Sequence, residues 1–131
     1  MTSTTPPLIE FKPSKHADFM HSAKVRTPKY KFYVEVGGNP YHPAIVLIMG
    51  LGAQSLVWPN EFCYALIEAG FCVIRFDNRD IGKSSKLKHK KLTDAHDSKW
   101  YKAKLIGRFG FGLPLEVETP YDLYDMAEDV Y

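Results

Sequence analysis

The stretch 44–77, "AIVLIMGLGAQSLVWPNEFCYALIEAGFCVIRFD", decides the fold of this 131-residue chain. It opens with a continuously apolar run, 44–49, of the kind that forms strands covered on both faces in parallel sheets. The segment 59–70 then has apolar residues at helical spacing, and 72–76 is a second apolar strand. The apolar stripe of the predicted helix comprises Phe62, Ala65, Leu66 and Ala69. A strand, a helix and a strand in this order predict a βαβ unit with parallel strands.

The turn after the first strand contains two glycines, Gly50 and Gly52, and permits two interpretations. The pattern Gly50-x-Gly52-x-x-Ser55 approximates the dinucleotide-binding motif, which would make the chain an NAD(P)-binding module. That motif requires a helix that begins near Gly52, and Pro59 in its second turn would cost about 3 kcal/mol. Pro59 suits the opening of a helix, so 50–57 is predicted to be a longer loop that carries backbone N–H groups into a cleft. The cofactor interpretation is therefore the weaker one.

The second strand is followed by a turn of the form D-x-R-x-x-G-x-S, formed by Asp77, Arg79, Gly82 and Ser84. With the glycine loop, this turn resembles the N-terminal part of α/β-hydrolase-fold esterases, in the branch similar to aclacinomycin methylesterase. Met49 stands where the commoner pattern of that family has histidine. The resemblance implies an α/β fold with a mostly parallel sheet, incomplete without its C-terminal half. It also implies a hydrolase that acts on small-molecule carboxylic esters without a cofactor.

The resemblance further implies that the glycine loop is half of an oxyanion hole. The backbone N–H of Leu51 would donate to the oxyanion, with Gly50 and Gly52 letting the loop pass close to the substrate. Fixed N–H donors stabilise the charge of a tetrahedral acyl intermediate without reorganising. A simple strand-to-loop turn is the alternative explanation of the two glycines. The D-x-R-x-x-G-x-S residues are expected to be structural, tied together by charge-assisted hydrogen bonds.

The catalytic triad of that family is absent from these 131 residues. No G-x-S-x-G motif occurs in the sequence, and the acid and the histidine follow the nucleophile in family order. We therefore expect the chain alone to be inactive. Strand 44–49, without the neighbour it has in the family, would offer an apolar edge for self-association. A non-catalytic binding or scaffold fragment is the alternative function.

The rest of the chain is expected to be less regular. Residues 1–28 are predicted to be an irregular arm, and 29–131 the N-terminal part of one α/β-hydrolase domain, with a strand at 30–36. The segment 83–119 is predicted to be a lid-like insertion or loop. A last helix is expected to begin at Thr119, with Pro120 at its first position and Asp122 in a capping box. Its apolar stripe would be Leu123, Met126 and Val130.

Composition limits the remaining classes of function. The formal net charge of +2 is too small to imply binding to nucleic acid or a membrane. Nine of the 17 basic residues lie in 83–108, where an exposed lid is the preferred explanation. The five histidines lack the spacing of a helical metal pair, and the two cysteines lack that of a zinc site, so no metal is expected. Without a secretory signal or a spanning segment, a cytoplasmic protein is expected.

Overall fold

The computed structural model describes residues 9–50, 52–87 and 121–131. They fall into two compact units, one ending at Lys86 and the other beginning at Leu87. The first unit holds a five-stranded sheet in the order β1-β2-β3-β5-β4, in which β4 and β5 are parallel and every other neighbouring pair is antiparallel. The strands are β1 (Lys12–Pro13), β2 (Met20–Arg26), β3 (Lys31–Gly37), β4 (Ala44–Leu47) and β5 (Cys72–Phe76).

The predicted βαβ unit is confirmed. Helix α1 (Asn60–Glu68) connects β4 to β5, and the two strands pair in parallel from Ala44–Cys72 to Leu47–Arg75. Pro59 is the residue that caps the start of α1, with φ −58° and ψ 139°, so the helix begins where the proline predicts. Gly70 ends the helix in the left-handed region with φ 91°, a conformation that a side chain would disfavour.

The buried face of α1 differs from the predicted one. The helix turns Cys63, Leu66 and Ile67 toward the sheet, whereas Phe62 is 42% exposed and stacks on Trp58. The expected stripe is therefore wrong by one residue, a rotation of about 100° around the helix axis. A cysteine buries as readily as a small hydrophobic residue, and leaving Cys63 out of the predicted stripe misplaced the face. The core beneath α1 comprises Ala17, Met20, Leu47, Cys63 and Val73.

The prediction of an irregular arm over 1–28 is wrong for the segments that form β1 and β2. Strand β2 pairs with β3 along its whole length, from Met20 opposite Gly37 to Arg26 opposite Lys31. Its sequence "MHSAKVR" mixes polar and apolar residues on both faces, so the alternation that marks a half-buried strand is absent. The pairing with β3 stabilises β2 through backbone hydrogen bonds, which leave no trace in the sequence pattern.

Strands β3 and β4 differ in how closely their observed bounds and burial match the prediction. Strand β3 agrees with the predicted strand 30–36 within one residue. Strand β4 ends at Leu47, two residues before the end of the apolar run, and the expected burial of both faces is wrong. Val46 is 40% exposed and Ile48 is 54% exposed. In the sheet that the described residues form, β4 is the last strand, which explains this exposure.

In the second unit, the described residues form one short helix, α2 (Leu123–Glu128). Asp122 caps it and exchanges hydrogen bonds with Asp125 in a capping box, so the helix begins later than the predicted start at Thr119. Thr119 and Pro120 lie outside the described residues, as does most of the predicted lid. Leu123 is 76% exposed and Val130 lies beyond the helix end, so the expected apolar stripe is not formed as a buried face. In the part of the chain that the structure describes, no helix is both long and apolar enough to cross a bilayer.

Candidate functional site

The glycine loop lies where β4 ends and before α1 begins, beside the end of β5. The N–H of Ala53 donates to the carbonyl oxygen of Gly50 at 3.3 Å, which closes a four-residue turn. Gly52, the third residue of this turn, has φ 80°, the left-handed value that a type II turn requires at that position. A Cβ atom at Gly50 or at Gly52 would meet no atom within 4 Å. Leu51, the expected oxyanion donor, lies outside the described residues.

Two residues that directly follow β5 hold the loop at both of its ends. Before the glycines, the side-chain amide of Asn78 donates to the carbonyl oxygen of Met49 at 3.0 Å. After them, Asp77 Oδ1 accepts from both the backbone N–H and the hydroxyl of Ser55, each at 2.8 Å. Asp77, Asn78 and Ser55 are all buried, and the two bonds between Asp77 and Ser55 are shielded from water. The two anchors therefore bracket the glycines and fix the ends of the segment that contains them.

The same carboxylate organises the turn after β5. Its Oδ2 accepts from the backbone N–H of Lys83 at 2.9 Å. Gly82 lies against it with φ 51°, and a Cβ there would overlap Asp77 Oδ2 and lie 2.6 Å from Asp77 Cγ, so the turn requires glycine at this position. The hydroxyl of Ser84 donates to the carbonyl oxygen of Asp77 and accepts from the N–H of Tyr33 at 2.9 Å. The structure thus brings Asp77, Gly82 and Ser84 into one network.

Arg79, the fourth residue of the D-x-R-x-x-G-x-S pattern, contacts an aromatic ring. Its guanidinium carbon lies 4.6 Å from the ring centroid of Tyr30, and the side chain is buried. A guanidinium at this distance from an aromatic face is attracted by the ring quadrupole. Arg79 therefore packs the turn against the chain that enters β3.

A buried ion pair that the sequence pattern did not predict joins β3 to β5. Arg75 Nε and Glu35 Oε2 are 2.7 Å apart, and both side chains are fully buried. Ser14 and Tyr33 also donate to Glu35 through their hydroxyls, and Arg75 Nη1 donates to the carbonyl oxygen of Trp58 at 3.0 Å. Arg75 thereby connects the residue before Pro59 to the centre of the sheet. The sequence signal for this ion pair is a charged residue inside each of two otherwise apolar strands, Glu35 in β3 and Arg75 in β5.

Two pKa shifts follow from this environment. Burial favours the neutral form of Glu35, but hydrogen bonds from Ser14, Arg75 and Tyr33 outweigh it and hold the pKa of Glu35 below its usual value. Burial raises the pKa of the Cys63 thiol, and the nearby Arg75 guanidinium opposes that rise only in part. Cys63 is therefore a buried thiol without nucleophilic activation.

Among residues 9–50, 52–87 and 121–131, no group of three potential metal ligands lies close enough to hold a metal ion.

Comparison with curated proteins gives two methylesterase relatives. Over 49 residues the chain is 43% identical to rhodomycin D methylesterase DnrP of Streptomyces peucetius and, equally, to rhodomycin D methylesterase DauP of Streptomyces sp. (strain C5). Each match covers 37% of this chain and 16% of the relative, so the chain spans a small part of the length of these proteins. No protein-family model matches the chain.

Comparison with solved structures supports the fold. The chain is similar to Cfl2 from Burkholderia cenocepacia, with a TM-score of 0.53 and 19% identity over 80% of this chain and 33% of that one. It is also similar to a membrane phospholipase A described as a bacterial virulence factor, with a TM-score of 0.50 and 24% identity over 70% of this chain and 29% of that one. At these identities the likeness concerns the fold alone. The sheet, the glycine loop and the methylesterase relatives together show that this chain has the N-terminal part of an α/β-hydrolase fold and resembles the esterases of that family.

Proposed function

We propose that this chain is part of a serine hydrolase that cleaves carboxylic esters by acyl transfer, with the backbone N–H of Leu51 as one oxyanion donor. The observation that carries the proposal is the anchoring of the glycine loop at Met49 and at Ser55 by the two residues after β5. Electrostatic stabilisation of an oxyanion requires donors that are fixed before the reaction, and this anchoring supplies a fixed frame. The 43% identity to methylesterases supports an ester as the substrate class.

In the proposed reaction, a serine oxygen attacks the ester carbonyl carbon while a histidine removes the serine proton. The carbonyl oxygen takes up the negative charge, and the alcohol leaves with a proton returned by the histidine, so that the acyl group stays on the serine. Water then attacks the acyl-serine with the histidine as base, which releases the acid and restores the serine. The chain has no G-x-S-x-G motif, so we propose that the nucleophile, the histidine and the acid come from residues outside this sequence. On that basis the 131-residue chain alone is expected to be inactive, and the native gene product that contains it to be active.

The position of α1 disfavours the dinucleotide alternative. A phosphate-binding turn aims the free N–H groups of a helix start at the ligand. Here α1 begins at Asn60, and the 3-10 turn Ser55–Val57 separates that start from Gly52. The N–H of Ser55, which a phosphate would need, already donates to Asp77. These contacts support a loop that is open to substrate over one that binds a pyrophosphate.

Substitution of Gly52 tests the oxyanion role. Gly52→Ala puts a Cβ on a residue with φ 80° and should shift the backbone beside Leu51. Loss of one oxyanion donor costs about 2.7–4 kcal/mol, a factor of about 10²–10³ in kcat. A donor that is displaced rather than lost costs part of this, so we expect kcat for p-nitrophenyl acetate to fall at least about tenfold in the native gene product. Gly70→Ala is the matched control, because Gly70 has φ 91° and a Cβ there would also meet no atom within 4 Å. An unchanged kcat in Gly52→Ala, or an equal loss in both variants, would contradict the proposal.

A non-catalytic binding role is the second candidate, and the exposed position of β4 favours it. In the described sheet β4 is the last strand, and its Val46 side chain is 40% exposed. An apolar terminal strand is a template for pairing with another copy of the chain. We expect the 131-residue chain to sediment above its 14.9 kDa mass at micromolar concentration and Val46→Lys to lower that association. A monodisperse monomer would contradict self-association through this strand.

A further inference from the structure

A groove of about 570 Å³ lies against β1, β2 and β3 and reaches Lys83 in the turn after β5. The sheet register explains its composition, since Lys12 lies opposite Ser22 and Lys24 lies opposite Tyr33. Side chains two residues apart share a face of a strand, so these groups project from the same side of the sheet. The volume is within the range of pockets that hold small molecules.

Positive charge dominates this groove. Four lining residues are cations, Lys12, Lys24, Arg26 and Lys83, and Glu10 is the one acid among the lining residues. Glu10 lies 3.6 Å from Lys12, whereas Lys24 and Arg26 form no ion pair with any described residue. Cations gathered on one concave surface focus a positive potential that attracts anions.

Lys83 is held in place at the wall of the groove. Its ammonium nitrogen lies 4.5 Å from the ring centroid of Tyr33 and 2.7 Å from His16 Nε2. Its backbone N–H is fixed by Asp77, and the Tyr33 hydroxyl donates to Glu35 at 2.9 Å. A cation that is already ordered loses less conformational entropy on binding than a free surface lysine does.

We propose that this groove binds a small organic phosphate ester. A phosphate ester carries about two negative charges at neutral pH and three acceptor oxygens. It therefore suits the three cations that Glu10 does not pair, Lys24, Arg26 and Lys83, better than a singly charged carboxylate does. Ile9 lines the same groove, and its apolar side chain would contact the organic part of the ligand. This site goes beyond the proposed ester hydrolysis, and neither Gly50 nor Gly52 lines it.

Isothermal titration calorimetry of the 131-residue chain with phenyl phosphate tests this assignment. We expect phenyl phosphate to bind at least about tenfold more tightly than benzoate, because of its second charge. Lys24→Gln and Arg26→Gln should each weaken binding about tenfold, since each removes a charge-assisted contact. Lys29→Gln is the matched control, as an exposed lysine outside the groove, and should change the affinity less than about twofold.

Three results would overturn the proposal. The first is the absence of binding heat for phenyl phosphate, with far-UV circular dichroism showing a folded chain. The second is benzoate binding as tightly as phenyl phosphate, which would remove the phosphate preference. The third is an equal loss of affinity in Lys29→Gln and Lys24→Gln, which would show a general effect of net charge. None of these results depends on ester hydrolysis, so failure here leaves the proposed function separately testable.

Discussion

Replacing Asp77 would test whether the turn after β5 holds the glycine loop in place. Asp77 is 2% exposed, and its carboxylate accepts from Ser55 N and Oγ at 2.8 Å and from Lys83 N at 2.9 Å. A hydrogen bond to a charged group contributes about 1.5–3 kcal/mol, and a buried donor left unpaired costs about 1–3 kcal/mol. Asp77→Ala removes the acceptor of all three bonds. Because the two bonds from Ser55 are buried and the one from Lys83 is partly buried, we expect a loss of about 3–5 kcal/mol in the free energy of unfolding.

Asp77→Asn gives a graded comparison at nearly constant shape. The remaining oxygen can still accept from Ser55, but the amide NH₂ would face the N–H of Lys83. We therefore expect a smaller loss, about 1–3 kcal/mol. Urea unfolding followed by far-UV circular dichroism measures both losses. Asp18→Asn, at an exposed aspartate outside this network, is the control and should change stability by less than about 0.5 kcal/mol.

The ranking of the two Asp77 variants decides the test. If Asp77→Ala and Asp77→Asn both stay within about 0.5 kcal/mol of the wild type, the carboxylate does not stabilise the loop. If Asp77→Asn is the more damaged of the two, the assignment of its acceptors is wrong. In the native gene product, a loop freed at Ser55 should also lower kcat for p-nitrophenyl acetate, as a displaced oxyanion donor does.

Glu35 and Gly82 provide two further stability tests. Burial raises the pKa of Glu35, but the hydrogen bonds that Glu35 accepts outweigh burial and hold this pKa below 4.5. The stabilisation from the Glu35 carboxylate is therefore present above pH 4.5 and is lost as the pH falls through the lower pKa of the folded state. Urea unfolding at about pH 6 and about pH 3 should show a larger loss in wild type than in Glu35→Gln, and equal losses would contradict this linkage. Gly82→Ala, whose Cβ would overlap Asp77 Oδ2, should lose about 2 kcal/mol. Gly50→Ala, which meets no atom within 4 Å, should lose less than about 0.5 kcal/mol, and equal effects would refute the close contact.

Local pattern and turn chemistry were enough to predict the βαβ unit. The apolar runs at β4 and β5 have the length and composition of buried strands, and Pro59 fixes where α1 can begin. The proline also separated the two interpretations of the glycine turn, because it is incompatible with an earlier helix start. These features depend on residues that are close in sequence, and a sequence pattern predicts such features best.

The features that escaped prediction depend on contacts between distant parts of the chain. Strand β2 has no alternation of its own and is stabilised by pairing with β3. The ion pair joins Glu35 to Arg75, forty residues apart, and only the adjacency of β3 and β5 shows that the two charges meet. The anchors of the glycine loop were also hidden, since Asp77 and Ser55 are brought together by the fold. Tertiary pairing, which no local period encodes, supplies all three.

We propose above all that the glycine loop stabilises the oxyanion of an acyl transfer at a serine. Its most direct test is the intact mass of the native gene product before and after reaction with a fluorophosphonate probe. The proposal predicts a product heavier than 14.9 kDa that gains one adduct, located on the serine of a G-x-S-x-G motif. A native product of 14.9 kDa, or a heavier one that takes up no probe while folded, would contradict it.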